Sequence, residues 1–130
     1  MKIKPYNKAE DEDKLMKLIE KEGKDWSCYS ADGVSEKYRA ALANSITYVA
    51  YEEDVLCGYS RSVNDCDFYI YVCDLLVSPE HRGKNIGRKL IERIYKDYPN
   101  QIVYVMSDVD EYYKKQGYRR EGSIYEVKNN

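Results

Sequence analysis

Val77-Ser78-Pro79-Glu80-His81-Arg82-Gly83-Lys84-Asn85-Ile86-Gly87 joins two segments of different periodicity. Before it, Phe68 to Val77 is almost wholly apolar, as a central strand covered on both faces should be. After it, Ile86, Leu90, Ile91 and Ile94 recur at helical spacing, with Arg88, Lys89, Glu92, Arg93 and Lys96 on the opposite face. The stretch is therefore the turn from a buried strand into an amphipathic helix of about residues 85–98, which Pro99-Asn100 ends. Gln101 to Met106 reads as the next buried strand, so the three elements form a βαβ unit, parallel and right-handed.

Such a turn leaves backbone N–H groups unpaired at the helix start, where the helix dipole adds positive potential. Anions, phosphate above all, bind there, and glycines let the backbone approach closely. Charge agrees. Between Glu80 and Lys96 six cations (Arg82, Lys84, Arg88, Lys89, Arg93 and Lys96) face two carboxylates, a surplus of four, while the 130-residue chain carries a net charge of -2. The spacing excludes the common nucleotide loops. Gly83 and Gly87 have three residues between them and Arg88-Lys89 after them, which is not a P-loop, and Gly-x-Gly-x-x-Gly is absent.

Outward from this unit, Met1 to Tyr6 reads as a short strand. Glu10 to Asp13 open a helix that runs through Leu15, Leu18 and Ile19 to Gly23. Residues 24–34 read as irregular, and Ser35 as the cap of a second helix with Tyr38, Ala41 and Leu42 on one face. Residues 45–51 and 55–63 are strands about the turn Glu52-Glu53-Asp54, and Asn64 to Asp67 form a second turn. Asp108 or Ser107 caps a short helix ending at Gly117, and a last strand covers about 118–127. The whole is one domain, residues 1–130, of α+β class. Its sheet is mixed and mostly antiparallel, of six to seven strands, with a central parallel βαβ unit and flanking helices.

Composition narrows the function classes. The mild negative charge gives no reason for a nucleic-acid partner, and no apolar run is long enough to cross a bilayer. Met1-Lys2-Ile3-Lys4-Pro5 has no signal-peptide character, so the expected location is the cytoplasm. Cys28, Cys57, Cys66 and Cys73 form no Cys-x-x-Cys pair and His81 is the sole histidine, so no metal site is expected and the thiols read as reduced and mostly buried. Fifteen tyrosines stand against one Phe and one Trp, which removes any distinction from a tyrosine as such.

Arg82-Gly83-Lys84-Asn85-Ile86-Gly87 resembles the signature of the GNAT N-acetyltransferases: Arg or Gln, two residues, Gly, one residue, Gly or Ala, at the start of the helix after the central strand. Asp74-Leu75-Leu76-Val77-Ser78-Pro79-Glu80 is similar to that family's strand and turn. Tyr112-Tyr113-Lys114-Lys115-Gln116-Gly117-Tyr118 is similar to its aromatic-Tyr-x-x-x-Gly-aromatic segment. Gly58-Tyr59-Ser60-Arg61 with Asp65 resembles a hairpin of one bacterial and plastid subgroup. Asn85 stands where the family usually has glycine, and Asn is the residue that best replaces it in a left-handed conformation.

The resemblance implies the acyl-CoA N-acyltransferase fold and acetyl-CoA as cosubstrate, with no metal. Amides of Arg82, Gly83, Lys84, Asn85, Ile86, Gly87 and Arg88 would hold the pyrophosphate. The main chain of Leu75, Leu76 and Val77 would pair with the pantetheine arm, with an amide near Leu76 polarising the thioester carbonyl. Tyr113 matches the tyrosine that protonates the departing thiolate; packing in the core is the other role open to it. Asp74 is either a base toward the amine or a hydrogen-bonded structural carboxylate, and Cys73 stands where some members carry an acid. Arg61 and Asp65 are expected to pin their hairpin, and His81 to be a solvated turn residue. Trp26, Tyr29 and Tyr38 line an acceptor pocket or pack in the core. The acceptor would be a small-molecule or protein amine, and a homodimer is compatible with the resemblance. The alternative is a CoA-binding regulatory or structural module without turnover.

Overall fold

A computed structural model describes residues 1–107 and 109–128. The chain runs β1 (Lys2–Pro5), α1 (Lys8–Glu22), a 3₁₀ turn (Gly23–Trp26), α2 (Ser27–Ser30), α3 (Ser35–Asn44), β2 (Ile46–Glu52), β3 (Val55–Asp65) and β4 (Tyr69–Val77). A second 3₁₀ turn (Pro79–His81), α4 (Ile86–Asp97), β5 (Ile102–Val105) and α5 (Asp110–Lys115) follow. The five strands form one sheet in chain order. All neighbours are antiparallel except β4 and β5, which are parallel across the expected βαβ crossover.

The sheet has a core on each face. On one side Leu15, Ile19, Tyr38 and Leu42 of α1 and α3 pack on Val49, Tyr59 and Leu76. On the other, Ile86, Leu90 and Ile94 of α4 pack on Ala50, Cys57, Ile70 and Val72. Three fully buried aliphatic residues on one stripe bind α4 firmly, at about 1.5–3 kcal/mol per side chain. The start of α1 is fixed by Asn7, whose side chain accepts the Glu10 amide. Asp11, one of the acids expected to open the helix, is fully buried. It accepts from Lys4 Nζ (2.8 Å), the Asn7 amide (2.7 Å) and Tyr51 Oη (2.5 Å).

Several expectations change. The sheet has five strands among the described residues rather than six or seven, because 118–127 forms no strand. Its first half, Arg119-Arg120-Glu121-Gly122-Ser123, is polar and glycine-broken, a poor match for an edge strand only four residues long. The segment 24–34 contains the 3₁₀ turn and α2 rather than being wholly irregular. Ser35 begins α3 without capping it; Val34 is the cap residue and its side chain makes no cap bond. Ser107 Oγ accepts the Val109 amide and donates to Asp110, while Asp108 lies outside the described residues. All four cysteines are free, but only Cys57 is buried and Cys28 and Cys66 are exposed. No helix among the described residues is long and apolar enough to cross a membrane.

Candidate active site

The site begins with an irregularity in β4. Arg61 pairs with Asp74 and Ser62 with Val72, so Cys73 is an extra residue, a β-bulge. The bulge exchanges the faces of the strand. Before it Ile70 and Val72 pack against α4; after it Leu75 and Val77 do, and Leu76 joins the opposite core. The β4–β5 ladder stops there, at Val72↔Val105, with the Met106 amide donating to Val72 O at 3.0 Å. From Asp74 to Val77, β4 keeps β3 on one side and, among the described residues, has no strand on the other. The two parallel strands therefore splay just beyond Cys73.

Backbone directions follow. The Leu76 carbonyl lies 3.1 Å from where a Cβ on Gly58 would sit, and the Ser78 amide donates to Cys57 O. Leu76 thus turns its peptide groups toward β3. Alternation directs those of Leu75 and Val77 to the open edge, where Val77 O accepts from Arg82 Nε at 3.1 Å. Of the three strand residues expected to meet a ligand, Leu75 and Val77 present main chain to the gap and Leu76 does not.

The loop beyond is shaped for an anion. Gly83 has φ +84° and Asn85 φ 62°, ψ 24°, so Asn85 adopts the left-handed conformation expected of it. Ile86 then starts α4, and the Lys89 amide makes the first helical bond to Asn85 O. Among the described residues no acceptor takes the amides of Gly83 to Arg88. These donors converge on a helix of twelve residues. Gly87 is buried; a Cβ there would lie 2.5 Å from Tyr112 Oη and 3.6 Å from Leu75 Cδ2. Tyr112 therefore packs over the start of α4 beside the open edge, a role its sequence position did not announce. His81 is not simply solvated: its Nδ1 pairs with Ser78 Oγ at 2.6 Å and holds the turn. Arg82 ties the loop to α1 through Glu22 at 3.3 Å.

Asp74 points the other way. Its Oδ1 accepts from Tyr29 Oη (2.8 Å), and its Oδ2 from Tyr38 Oη (2.7 Å) and Arg61 Nε (2.6 Å). Because Tyr38 gives its proton to Asp74, Tyr59 Oη donates to Tyr38 at 2.7 Å. Burial, then the charge of Asp74, pushes the Tyr29 and Tyr38 phenols well above the ordinary range. Burial works against the Arg61 charge, but the hydrogen bond and attraction of Asp74 outweigh it and raise the Arg61 pKa. Arg61 thus pins β3 to β4 through Asp74, not through Asp65. Trp26 and Tyr29 pack against this cluster at the edge of the core. The carboxylate is committed to three donors, one of which, Arg61, is also its ion-pair partner.

Tyr113 lies on α5, in edge contact with Tyr112 and stacked on Tyr118. It lines a groove of about 1540 Å³ with Cys73, Met106 and Arg88, the far wall being residues 118–124. Tyr113 and the bulge residue Cys73 thus line one groove, and Asp74 is not among its lining residues. The bulge itself has no sequence signal, and Tyr29 and Tyr38, expected in an acceptor pocket or the core, gave no sign that they would bind Asp74.

Known proteins resemble this chain in sequence and in fold. A chloroplastic GCN5-related N-acetyltransferase 2 of Arabidopsis thaliana is 29% identical over 72 residues, 52% of this chain and 28% of its own length. A Glycine max histone acetyltransferase is 31% identical over 72 residues, again 52% of this chain and 31% of its own. The chain thus spans less than a third of the length of these relatives. Among solved structures, an aminoglycoside acetyltransferase from an uncultured soil metagenomic sample superposes with TM-score 0.76 at 19% identity, covering 99% of this chain and 98% of its own. A GNAT family protein of Streptococcus pneumoniae gives 0.74 at 20% identity, covering 98% of both chains. At such identities the likeness is one of fold. Residues 43–120, which contain the bulge, the open strand edge, the amide-rich turn and the tyrosine helix, match the acetyltransferase (GNAT) domain model, and the chain belongs to that family.

Proposed function

We infer that the protein is an N-acetyltransferase that moves the acetyl group of acetyl-CoA to the primary amine of an acceptor. The observation that carries the reading is the pairing of an open β4 edge with a turn whose amides, Gly83 to Arg88, lack acceptors among the described residues. A strand edge accommodates a pantetheine arm, and the amide cluster beyond it accommodates the pyrophosphate at the arm's other end. Lys84 and Arg88 add positive charge, and Asn85 in its left-handed conformation leaves the turn intact.

Acetyl-CoA supplies the activated thioester. The Leu75 and Val77 main chain holds the arm, and the Leu75 amide faces the thioester carbonyl, where it stabilises developing negative charge. The neutral amine attacks the carbonyl carbon, the C–S bond breaks, and Tyr113 Oη gives its proton to the departing thiolate. A phenol of ordinary pKa about 10 is protonated at neutral pH and can do this. The amine's own proton passes to solvent, since Asp74 is committed elsewhere. Asp74 serves as a positioning residue, holding the bulge that opens the edge.

Thiol release from acetyl-CoA across an amine panel tests this, with calorimetry for acetyl-CoA binding. Tyr113→Phe should lower kcat by about 10²-fold or more while leaving acetyl-CoA affinity within about twofold. Full kcat in the variant removes Tyr113 from the mechanism. Binding of acetyl-CoA without turnover on any amine favours the regulatory module, and no binding ends the reading.

A further inference from the structure

The groove beside the bulge has an aromatic floor for which the reaction has no use. Ile70 and Val72 on β4, and Val103 and Val105 on β5, pack against α4. Strand alternation therefore turns Tyr69, Tyr71 and Tyr104 to the opposite face. Tyr71 and Tyr104 are register partners in the parallel ladder, with ring centroids 5.6 Å apart and planes 29° from parallel. Tyr69 adds a third ring 5.4 Å from Tyr104. None of the three belongs to either core, and all are half-buried. Two rings stacked in register, with a third tilted against them, thus form an aromatic surface outside both cores. Tyr71 and Tyr104 line the same groove as Cys73, Met106 and Tyr113, so the platform leads directly to the point of transfer.

Charge decides what this floor can hold. The charged residues of the groove are four cations and three carboxylates, and the carboxylate just behind it, Asp74, is neutralised by Arg61. A polycationic acceptor finds no surplus of negative charge. An aromatic body finds tyrosine faces to stack on, and a single ammonium finds their negative quadrupole.

We propose that Tyr71 and Tyr104 form the acceptor platform, and that the acceptor is a monoamine with an aromatic body. This rests on the acetyl-transfer reading. The test compares 2-phenylethylamine with spermidine in thiol release, in the wild type and in Tyr104→Leu, with Tyr71→Leu as a second variant should the first fail to fold. The expected kcat/KM is about tenfold or more higher for 2-phenylethylamine. Either variant should raise the KM of that amine by about three- to tenfold, without a comparable change in the KM of acetyl-CoA. Preference for spermidine, or an unchanged KM for 2-phenylethylamine in the folded variant, overturns the proposal. Calorimetry with each ligand alone separates the two levels. 2-Phenylethylamine bound without acetyl-CoA binding overturns the reaction and keeps the platform. Acetyl-CoA bound with no binding or turnover of 2-phenylethylamine overturns the platform alone.

Discussion

The two faces of the sheet handle polar groups in opposite ways. Beneath α1 and α3 two carboxylates, Asp11 and Asp74, are buried, and each is closed by three donors that include tyrosine hydroxyls. Beneath α4 the packing is mainly aliphatic, Tyr48 donates to Asp97 of the helix, and the amides of Gly83 to Arg88 have no acceptor among the described residues. The contrast follows from solvent. A buried carboxylate that loses a donor has no water to replace it, so closure is a condition of folding. Amides at an exposed helix start are hydrated until a better acceptor arrives, so they can stay open at little cost. One face closes its buried carboxylates within the fold, and the other also leaves a row of amides open at its helix start.

The largest effect should come from breaking the closed side. Asp74→Ala leaves Arg61, Tyr29 and Tyr38 facing a buried gap, and should lower stability by about 3–5 kcal/mol in urea denaturation. Asp74→Asn, which still accepts hydrogen bonds, should cost less. A loss under about 1 kcal/mol for the alanine variant would mean that the cluster is not closed as described.

On the open side a substitution should alter binding more than folding. Gly87→Ala pushes a methyl against Tyr112 Oη, so the start of α4 or the ring must shift. Acetyl-CoA affinity should fall by about tenfold, with under about 1 kcal/mol lost in stability. Adding Tyr112→Phe removes the clashing oxygen and should restore most of the affinity. Failure of that rescue would put the effect elsewhere than in this contact.

The smallest effect should be at Asn85. Asn85→Val places a β-branched residue at φ 62° and should cost about 1–2 kcal/mol, measured by thermal melting. Asn85→Gly should change stability by less than about 0.5 kcal/mol, because both residues accept this conformation. Equal stability of the valine variant would show that the turn can be rebuilt without the left-handed residue.

Much of the fold was legible because its signals are local. The stripe Ile86, Leu90, Ile91 and Ile94 located α4, and alternation and turn residues located β2 and β3 within two residues. Overreach came where a pattern had no partner to complete it. Residues 118–127 carry enough apolar residues to suggest a strand, but a strand exists only when a neighbour supplies hydrogen bonds. Asp11 read only as a helix-start acid, because its helical position was legible and its partners Lys4 and Tyr51 were not.

The sequence by itself determined the turn into α4: its glycine, its left-handed Asn85 and its local positive charge are set by residues adjacent in the chain. Only the tertiary structure decided that β4 bulges at Cys73 and parts from β5 there. It also decided that Asp74 is held by Arg61, Tyr38 and Tyr29, which lie 13, 36 and 45 residues away. Those contacts depend on which strands and helices meet, and nothing in the local pattern of β4 records that.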